Sequence, residues 1–206
     1  MVATLLSFDL REIAFLMFIC FIGYLRPREA YMARCVDLVR PAGSRNQCLR
    51  SWGLIIAPQE RPSEPSKTRE FDDTVLFDYP EWVGQLFARR PPPVDPECRL
   101  FNVDPRKVKI AWSRAREALH LPKQFCMYQL RHGGASEDAL SRRRSLAEIM
   151  QRGRWKAMNS LKRYTKPGQV QKMLNDLSPG VRQYAAWATT NLRALLFGDL
   201  RSQPPP

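Results

Sequence analysis

The sequence is poor in the residues that bind metal ions or cross-link small domains. It has 2 histidines, His120 and His132, and 5 scattered cysteines with no CxxC pair among them. Zinc sites and disulfide frameworks need clustered ligands or closely spaced, even sets of cysteines. We therefore expect no metal, no cofactor and reduced thiols, as is usual inside a cell.

The sequence also lacks an apolar run long enough to span a membrane. Residues 13–25 form 13 consecutive apolar positions, whereas a spanning helix needs about 18–20. Acidic residues precede this run, and no small-residue cleavage site follows it, so a signal peptide is not indicated. The run predicts a fully buried core helix and no membrane partner.

Negative charge is scarce. The 206 residues contain 33 Lys and Arg against 20 Asp and Glu, a formal net charge of +13. Such an excess favours a polyanionic partner, nucleic acid first, although a basic surface that only aids solubility is the alternative. The length fits one domain over residues 1–200 with a flexible tail at 201–206.

The hydrophobic patterns predict a mainly α protein with a small antiparallel sheet or hairpin. Two β-type runs, 52–58 and 72–78, flank a Pro- and Ser-rich turn that places Lys67 near a hairpin tip. Residues 124–140 form a helix that Gly133 and Gly134 interrupt or ease. The other predicted helices span residues 8–25, 25–38, 81–90, 104–119, 145–155, 159–164 and 177–197.

One tyrosine stands in an unusually basic turn, "GRWKAMNSLKRYTKPG". Tyr164 has Arg154, Lys156 and Arg163 among its neighbours, and Trp155 lies nine residues before it. A tyrosine that only packs in a core needs apolar neighbours, whereas one that attacks a phosphate needs cations. We therefore predict that Arg154, Lys156 and Arg163 contact phosphate.

Three further cations interrupt apolar surroundings elsewhere in the chain. Arg26 ends the apolar run, Lys67 lies in the predicted turn, and Arg131, together with the adjacent His132, breaks the spacing of a helix. Arginines beside buried segments are costly unless a partner satisfies them, and one phosphate would satisfy two. Taken singly, Arg26 fits a helix-end salt bridge with Glu29 or Asp37, and the other two fit solvated surface positions.

Four segments together resemble the catalytic domain of tyrosine recombinases, the phage-integrase family. They are "GYLRPREAYMARCVDLV", "PSKTREFDDTVL", "YQLRHGGAS" and "RGRWKAMNSLKRYT", in the family's order over roughly residues 8–170. Arg26 and Arg131 are 105 residues apart, and Trp155 and Tyr164 are nine apart, as in that family. The resemblance implies a recombinase-like core that recombines or integrates double-stranded DNA, without a metal, through a covalent phosphotyrosyl intermediate.

The resemblance also implies a role for each residue. Tyr164 would be the nucleophile, and Arg26 and Arg131 would stabilise the charge of the transition state. Lys67 would be the general acid, and Trp155 would donate its indole N–H and pack beneath the site. Tyr128 stands where the family usually has the histidine of an HxxR box; a phenol still donates a hydrogen bond but is a poor proton carrier.

The second departure concerns the N-terminus, where family members carry a helical DNA-binding domain that this sequence does not show. The resemblance allows a homotetramer on DNA and an intracellular site, the nucleus in a eukaryote. A catalytically silent DNA-binding relative, or a truncated remnant of the same fold, is the alternative function. A basic helical protein that binds RNA or a membrane surface is a third, which lacks an aromatic RNA-binding motif.

Overall fold

The computed structural model describes residues 1–43, 47–61, 71–161, 164 and 166–206. In this part of the chain the fold is mainly helical with a three-stranded antiparallel sheet. The helices are α1 (Val2–Ser7), α2 (Arg11–Ile22), α3 (Pro27–Met32), α4 (Val83–Ala88), α5 (Pro105–Ala118), α6 (Tyr128–Leu140), α7 (Leu146–Arg152), α8 (Pro167–Asn175), α9 (Pro179–Thr190) and α10 (Leu192–Phe197). The strands are β1 (Leu38–Val39), β2 (Trp52–Ile56) and β3 (Asp73–Phe77).

The helix α2 is the centre of the molecule. Every residue from Ile13 to Cys20 is buried, so the helix has no polar face. A helix that is apolar all round is stable only when other elements surround it, and α1, α6 and the sheet do so here. The predicted buried core helix is confirmed. None of the described helices has the length and apolar character to cross a membrane.

The predicted hairpin is confirmed in the pairing of β2 with β3. Trp52 lies opposite Phe77 and Ile56 opposite Asp73 in an antiparallel ladder. Alternating side chains of the two strands, such as Leu54 and Val75, join the core around α2. The predicted position of Lys67 falls in residues 62–70, outside the described residues.

The helix predicted for residues 25–38 is wrong beyond Met32. There the backbone pairs with a distant segment: the Cys35 amide donates to the Cys98 carbonyl at 2.9 Å, and the Leu100 amide to the Ala33 carbonyl at 2.9 Å. Residues 38–39 then form β1, which adds a third strand beside β2. A pairing between segments more than 60 residues apart leaves no local periodicity in the sequence.

The C-terminal half contains more breaks than its pattern predicts. The predicted helix 177–197 divides at Asn191, after Thr189 and Thr190 bond their hydroxyls to carbonyls four residues earlier, a contact that bends helices. Of the predicted helix 159–164, the described part forms a 3₁₀ turn at Met158–Ser160 rather than an α-helix, and residues 162 and 163 lie outside the described residues. The separate helices α1 and α8 were not predicted.

Gly133 and Gly134 do not interrupt α6, contrary to the prediction. The helix runs unbroken from Tyr128 to Leu140. A Cβ atom on Gly134 would lie 2.0 Å from the Phe21 carbonyl oxygen, closer than any real contact. Gly134 therefore allows α6 to pack directly against the end of α2, and this approach brings the two halves of the chain together.

Several helices end in a left-handed residue that is not glycine. At these ends the residue that follows the C-cap has a positive φ angle. Glycine is the usual residue in this conformation, because it has no Cβ atom to clash with the backbone. Tyr24 (φ 48°) follows α2 in this way, and Arg154 (φ 51°) follows α7. These two turns bring the Tyr24 carbonyl and the Arg154 guanidinium into one small region.

The last helices pack on their own chain. Tyr184 and Leu195 form a small cluster with Ala3 and Leu119, so the apolar side chains of α9 and α10 face α1 and the end of α5. In the tail, the Ser202 hydroxyl donates to the Ala3 carbonyl at 2.6 Å.

Candidate active site

Arg131 is the innermost charged residue of the candidate site. It lies on α6, its exposed fraction is 0%, and its two terminal nitrogens donate to the carbonyl oxygens of Tyr24 and Gly153. These carbonyls belong to the C-terminal ends of α2 and α7, where helices leave carbonyl groups without intrahelical donors. The negative ends of two helix dipoles thus stabilise the buried guanidinium.

Arg26 and Arg154 share one carboxylate beside Arg131. Glu29 accepts hydrogen bonds from the Arg26 guanidinium at 2.5 Å and from the Arg154 guanidinium at 2.6 Å. It also accepts from the Arg26 backbone amide at 2.7 Å, which fixes the first turn of α3. The predicted salt bridge of Arg26 with Glu29 is therefore present, but as part of a larger cluster. The Arg154 guanidinium also donates to the Tyr24 carbonyl at 3.4 Å.

The cluster of Arg26, Arg131, Arg154 and Glu29 carries more positive than negative charge. Burial first, and then the charges of Arg154 and Arg26, lower the pKa of Arg131 to about 10. Burial likewise lowers the pKa of Arg154, against the opposing effect of Glu29. We call these four residues the arginine cluster. Its three guanidiniums against one carboxylate leave a formal charge of +2.

The arginine cluster also has an excess of hydrogen-bond donors. Among the described residues, no acceptor reaches the buried Nε atom of Arg26, Arg131 or Arg154. A buried donor without a partner costs about 1–3 kcal/mol. The cluster thus lacks both negative charge and acceptor oxygens, and a phosphate would supply both.

A row of aromatic side chains leads from the arginine cluster to Tyr164. The Arg131 guanidinium lies 4.7 Å from the Trp155 ring centroid, and the Trp155 and Tyr164 rings are 5.0 Å apart. The Tyr164 hydroxyl is hydrogen-bonded to Nδ1 of His132, whose ring stacks at 5.4 Å. Tyr128 meets the other side of His132 edge-on at 4.8 Å.

Tyr164 is closed off from solvent in this arrangement. Its exposed fraction is 3%, and it packs in a small apolar cluster with Tyr24, Ala135, Ile149 and Leu161. Tyr128, by contrast, is 39% exposed. The site therefore opens to solvent on the side of Tyr128 and is closed at the phenol of Tyr164.

A second network of charges holds the turn that carries Tyr24. The Tyr24 hydroxyl donates to Asp138, and Arg144 joins Asp138 at 2.9 Å to Asp78 at 2.6 Å. Burial, and then the hydrogen bond to Asp138, raises the pKa of Tyr24. This network ties the end of β3 to α6 and positions the Tyr24 carbonyl that Arg131 contacts.

The structure brings together most of the residues that the sequence singled out. Arg131, Trp155 and Tyr164 form a row of contacts, which Tyr128 joins through His132. Arg26 is connected to Arg131 indirectly, through Glu29, Arg154 and the Tyr24 carbonyl. Arg154, predicted to contact phosphate, is 8% exposed and belongs to the arginine cluster, whereas Lys156 is exposed. Lys67 and Arg163 lie outside the described residues.

Sequence reasoning did not assign three residues that complete the site. Glu29 carries the carboxylate of the arginine cluster, the Tyr24 carbonyl accepts from Arg131, and His132 accepts or donates at Tyr164. The three-residue spacing of Arg26 and Glu29 at a helix start is a recognisable capping signal. His132 lies four residues after Tyr128, on the same face of α6.

No group of His, Cys, Asp or Glu within the described ranges is arranged to hold a metal ion. The chain matches no protein-family model, no curated protein and no solved structure.

Proposed function

We propose that this chain is the catalytic core of an enzyme that breaks and rejoins double-stranded DNA through Tyr164. The observation that carries the proposal is the convergence of Arg26, Arg131 and Tyr164. Residues separated by 105 and 33 positions meet around one set of buried contacts. The resemblance of the sequence motifs to the recombinase family predicts that these three residues lie close together. The local sequence around each of them does not by itself require this.

The chemistry of the proposed reaction fits the groups present. The Tyr164 oxygen attacks a backbone phosphorus atom, a phosphotyrosyl bond forms, and the bond to one deoxyribose oxygen breaks. The leaving oxygen takes up a proton, for which Lys67 remains the predicted donor. Negative charge grows on the phosphoryl oxygens, and the guanidiniums of Arg26, Arg131 and Arg154 stabilise it. The reverse attack by the freed hydroxyl rejoins the strand.

The closed position of Tyr164 adds a step to this scheme. A phosphate reaches the phenol oxygen only after the Tyr164 side chain moves, because Tyr164 is 3% exposed. Among the described residues of the segment 158–164, Leu161 and Tyr164 are buried. Trp155 contacts both the Arg131 guanidinium and the Tyr164 ring, so phosphate bound at the arginine cluster would act on Tyr164 through this side chain.

The test is covalent capture on nicked duplex DNA that loses a short fragment after cleavage. Wild-type protein should form a band on a denaturing gel that is shifted by the mass of the protein. Tyr164→Phe should form no band while its DNA affinity stays within about twofold, because only the nucleophilic oxygen is removed. Arg131→Lys keeps the charge but not the forked donor, and should slow capture by about 10²- to 10³-fold.

The burial of Tyr164 favours a second candidate function, a DNA-binding protein of the same fold that performs no chemistry. In that case the arginine cluster binds phosphate while Tyr164 serves only as a packed side chain. Fluorescence anisotropy separates the two functions. DNA binding without any covalent band, in wild type and Tyr164→Phe alike, would identify the silent relative and reject the enzyme.

A further inference from the structure

We propose that His132 is the general base that removes the proton from Tyr164. The inference rests on the proposed function and names the group that activates its nucleophile. It starts from one contact: Nδ1 of His132 is hydrogen-bonded to the Tyr164 hydroxyl, and the two rings stack with centroids 5.4 Å apart at 28°.

The position of His132 suits proton transfer out of a closed site. Tyr164 is buried, whereas His132 is half-buried, so a proton accepted from the phenol has a route towards solvent. His132 also directly follows Arg131 on α6. One rigid helix therefore carries both the guanidinium that would bind the phosphate and the imidazole that would activate the attacking oxygen.

Within the part of the chain that the structure describes, two phenols contact the imidazole of His132. Tyr128 contacts it edge-on from one turn earlier in α6, with an interplanar angle of 79°. Tyr164 contacts it from the turn after the 3₁₀ segment. Arg131, the neighbouring cation, turns away from His132 to the carbonyls of Tyr24 and Gly153.

The proton and electron pairs balance in this scheme. Neutral His132 carries its proton on Nε2, and its Nδ1 lone pair takes the proton of Tyr164. The phenolate oxygen forms the bond to phosphorus as the bond to the leaving oxygen breaks. During rejoining the imidazolium returns its proton to the departing Tyr164 oxygen, so His132 ends each cycle in its original state.

The test compares the pH dependence of capture in single-turnover reactions. Wild-type capture should rise with pH and level off near neutrality, where a histidine loses its proton. His132→Gln keeps a hydrogen-bonding side chain but accepts no proton. Its capture rate at pH 7 should fall by about 10²- to 10⁴-fold and then rise about tenfold per pH unit towards pH 10, as free hydroxide replaces the base.

The chain offers a matched control, because its other histidine is elsewhere. His120 is exposed in the turn after α5, and His120→Gln should keep the wild-type rate and pH profile. Imidazole added to His132→Ala should restore capture, which a purely structural role would not allow. If the wild type captures DNA and His132→Gln keeps the same rate and pH profile, the role of His132 is overturned while the proposed function stands. Absence of capture by the wild type would reject the proposed function and the inference with it.

A second, independent observation concerns two cysteines. The Cys35 and Cys98 sulfur atoms are 3.4 Å apart, although the residues are 63 positions apart in the sequence. Their backbones are joined where the Cys35 amide donates to the Cys98 carbonyl at 2.9 Å. The adjacent residues Arg34 and Arg99 form an antiparallel bridge.

The geometry points to a reversible disulfide between Cys35 and Cys98. A disulfide needs its sulfur atoms about 2.05 Å apart, and small side-chain rotations close the remaining gap because the backbone is already paired. With hydrogen peroxide as oxidant, each thiol gives up one proton and one electron, and the peroxide becomes two water molecules. Burial, and then Cys98, raises the pKa of Cys35 to about 11, which makes the reaction slow at neutral pH.

Intact mass after mild peroxide treatment tests this pair. The Cys48→Ser, Cys126→Ser background leaves the buried Cys20 as the one thiol besides the pair. Its mass should fall by about 2 Da, with Cys35 and Cys98 in one cross-linked peptide. The Tm should rise by about 10 °C, because the bond closes a long loop, and dithiothreitol should reverse both changes. Cys98→Ser should show neither change. Oxygen addition without a cross-link would overturn the inference.

Discussion

Among individual residues, Glu29 has the largest effect on the charge of the proposed site. It is 7% exposed and pairs with both Arg26 and Arg154. Removing one partner from a buried ion pair is far more costly than removing a whole pair, because the remaining charge keeps its desolvation penalty. In this site the remaining charges would be three guanidiniums.

We predict that Glu29→Gln lowers the free energy of unfolding by about 3–5 kcal/mol in urea titrations. Sulfate should recover part of this loss, relative to chloride at equal ionic strength, by entering the arginine cluster. The matched control is Glu97→Gln, since Glu97 pairs with Arg34 but its side chain is 55% exposed. That change should cost less than about 1 kcal/mol. Equal losses in the two variants would contradict the account of a buried cluster.

Tyr24 gives the site a pH dependence at the alkaline end. Its pKa in the folded protein is raised by burial and by the bond to Asp138, so the unfolded chain releases this proton first. The resulting stability is complete below about pH 10, the unfolded pKa, and is lost as the pH rises towards the folded pKa.

We therefore predict that the stability difference between wild type and Tyr24→Phe shrinks with rising pH. At pH 8 the variant should be less stable by about 1–3 kcal/mol, because Asp138 loses a donor. Between pH 10 and pH 11.5 the gap should narrow, as measured by urea unfolding at each pH. A stability difference that stays constant over this pH range would show that folding does not raise the pKa of Tyr24.

At the scale of elements, the contact between α2 and α6 assembles the site. It joins the helix before Arg26 to the helix that carries Arg131, and Gly134 lies at the crossing point. A side chain at this position would collide with the backbone of α2, which cannot move as a flexible side chain would.

Gly134→Ala should therefore destabilise the protein by about 2–4 kcal/mol through overpacking and separate Arg131 from the Tyr24 carbonyl. Gly168→Ala is the control, because a Cβ atom there meets nothing within 4 Å. It should be neutral or stabilise α8 by up to about 1 kcal/mol, since alanine favours helices. Thermal unfolding of the two variants measures the difference, and equal Tm values would contradict the close packing.

The sequence predicts the elements that local patterns define. The apolar run of α2 and the basic amphipathic α5 are examples, with Val108, Trp112 and Ala115 buried as their spacing predicts. The order of the motifs also predicts the grouping of Arg26 with Arg131. The third strand, the break at Asn191 and the burial of Tyr164 depend on contacts between distant segments, which no local period encodes.

Across the whole molecule, the net charge of +13 gives the proposed binding of DNA a salt dependence that can be measured. Phosphate contacts release counterions, so affinity falls as salt rises. We predict about a 10²-fold loss of affinity for duplex DNA between 50 and 200 mM salt, as about four contacts would give. Lys156→Gln should reduce the slope of log K against log salt by about 0.9. Lys109→Gln is the control: Lys109 lies on α5, which packs against α1, and its replacement should leave the slope of log K against log salt unchanged. An unchanged slope for Lys156→Gln would show that Lys156 does not contact a DNA phosphate.

The central claim is that Tyr164 becomes covalently joined to DNA, and peptide mapping of the trapped complex tests it most directly. After nuclease and trypsin treatment, the residual nucleotide should be found on peptide 164–172, which trypsin releases because proline protects the bond after Lys166. A nucleotide on Tyr164 is the result that the account predicts. A nucleotide on Tyr128 or another tyrosine, or no modified peptide from DNA-bound protein, would contradict it.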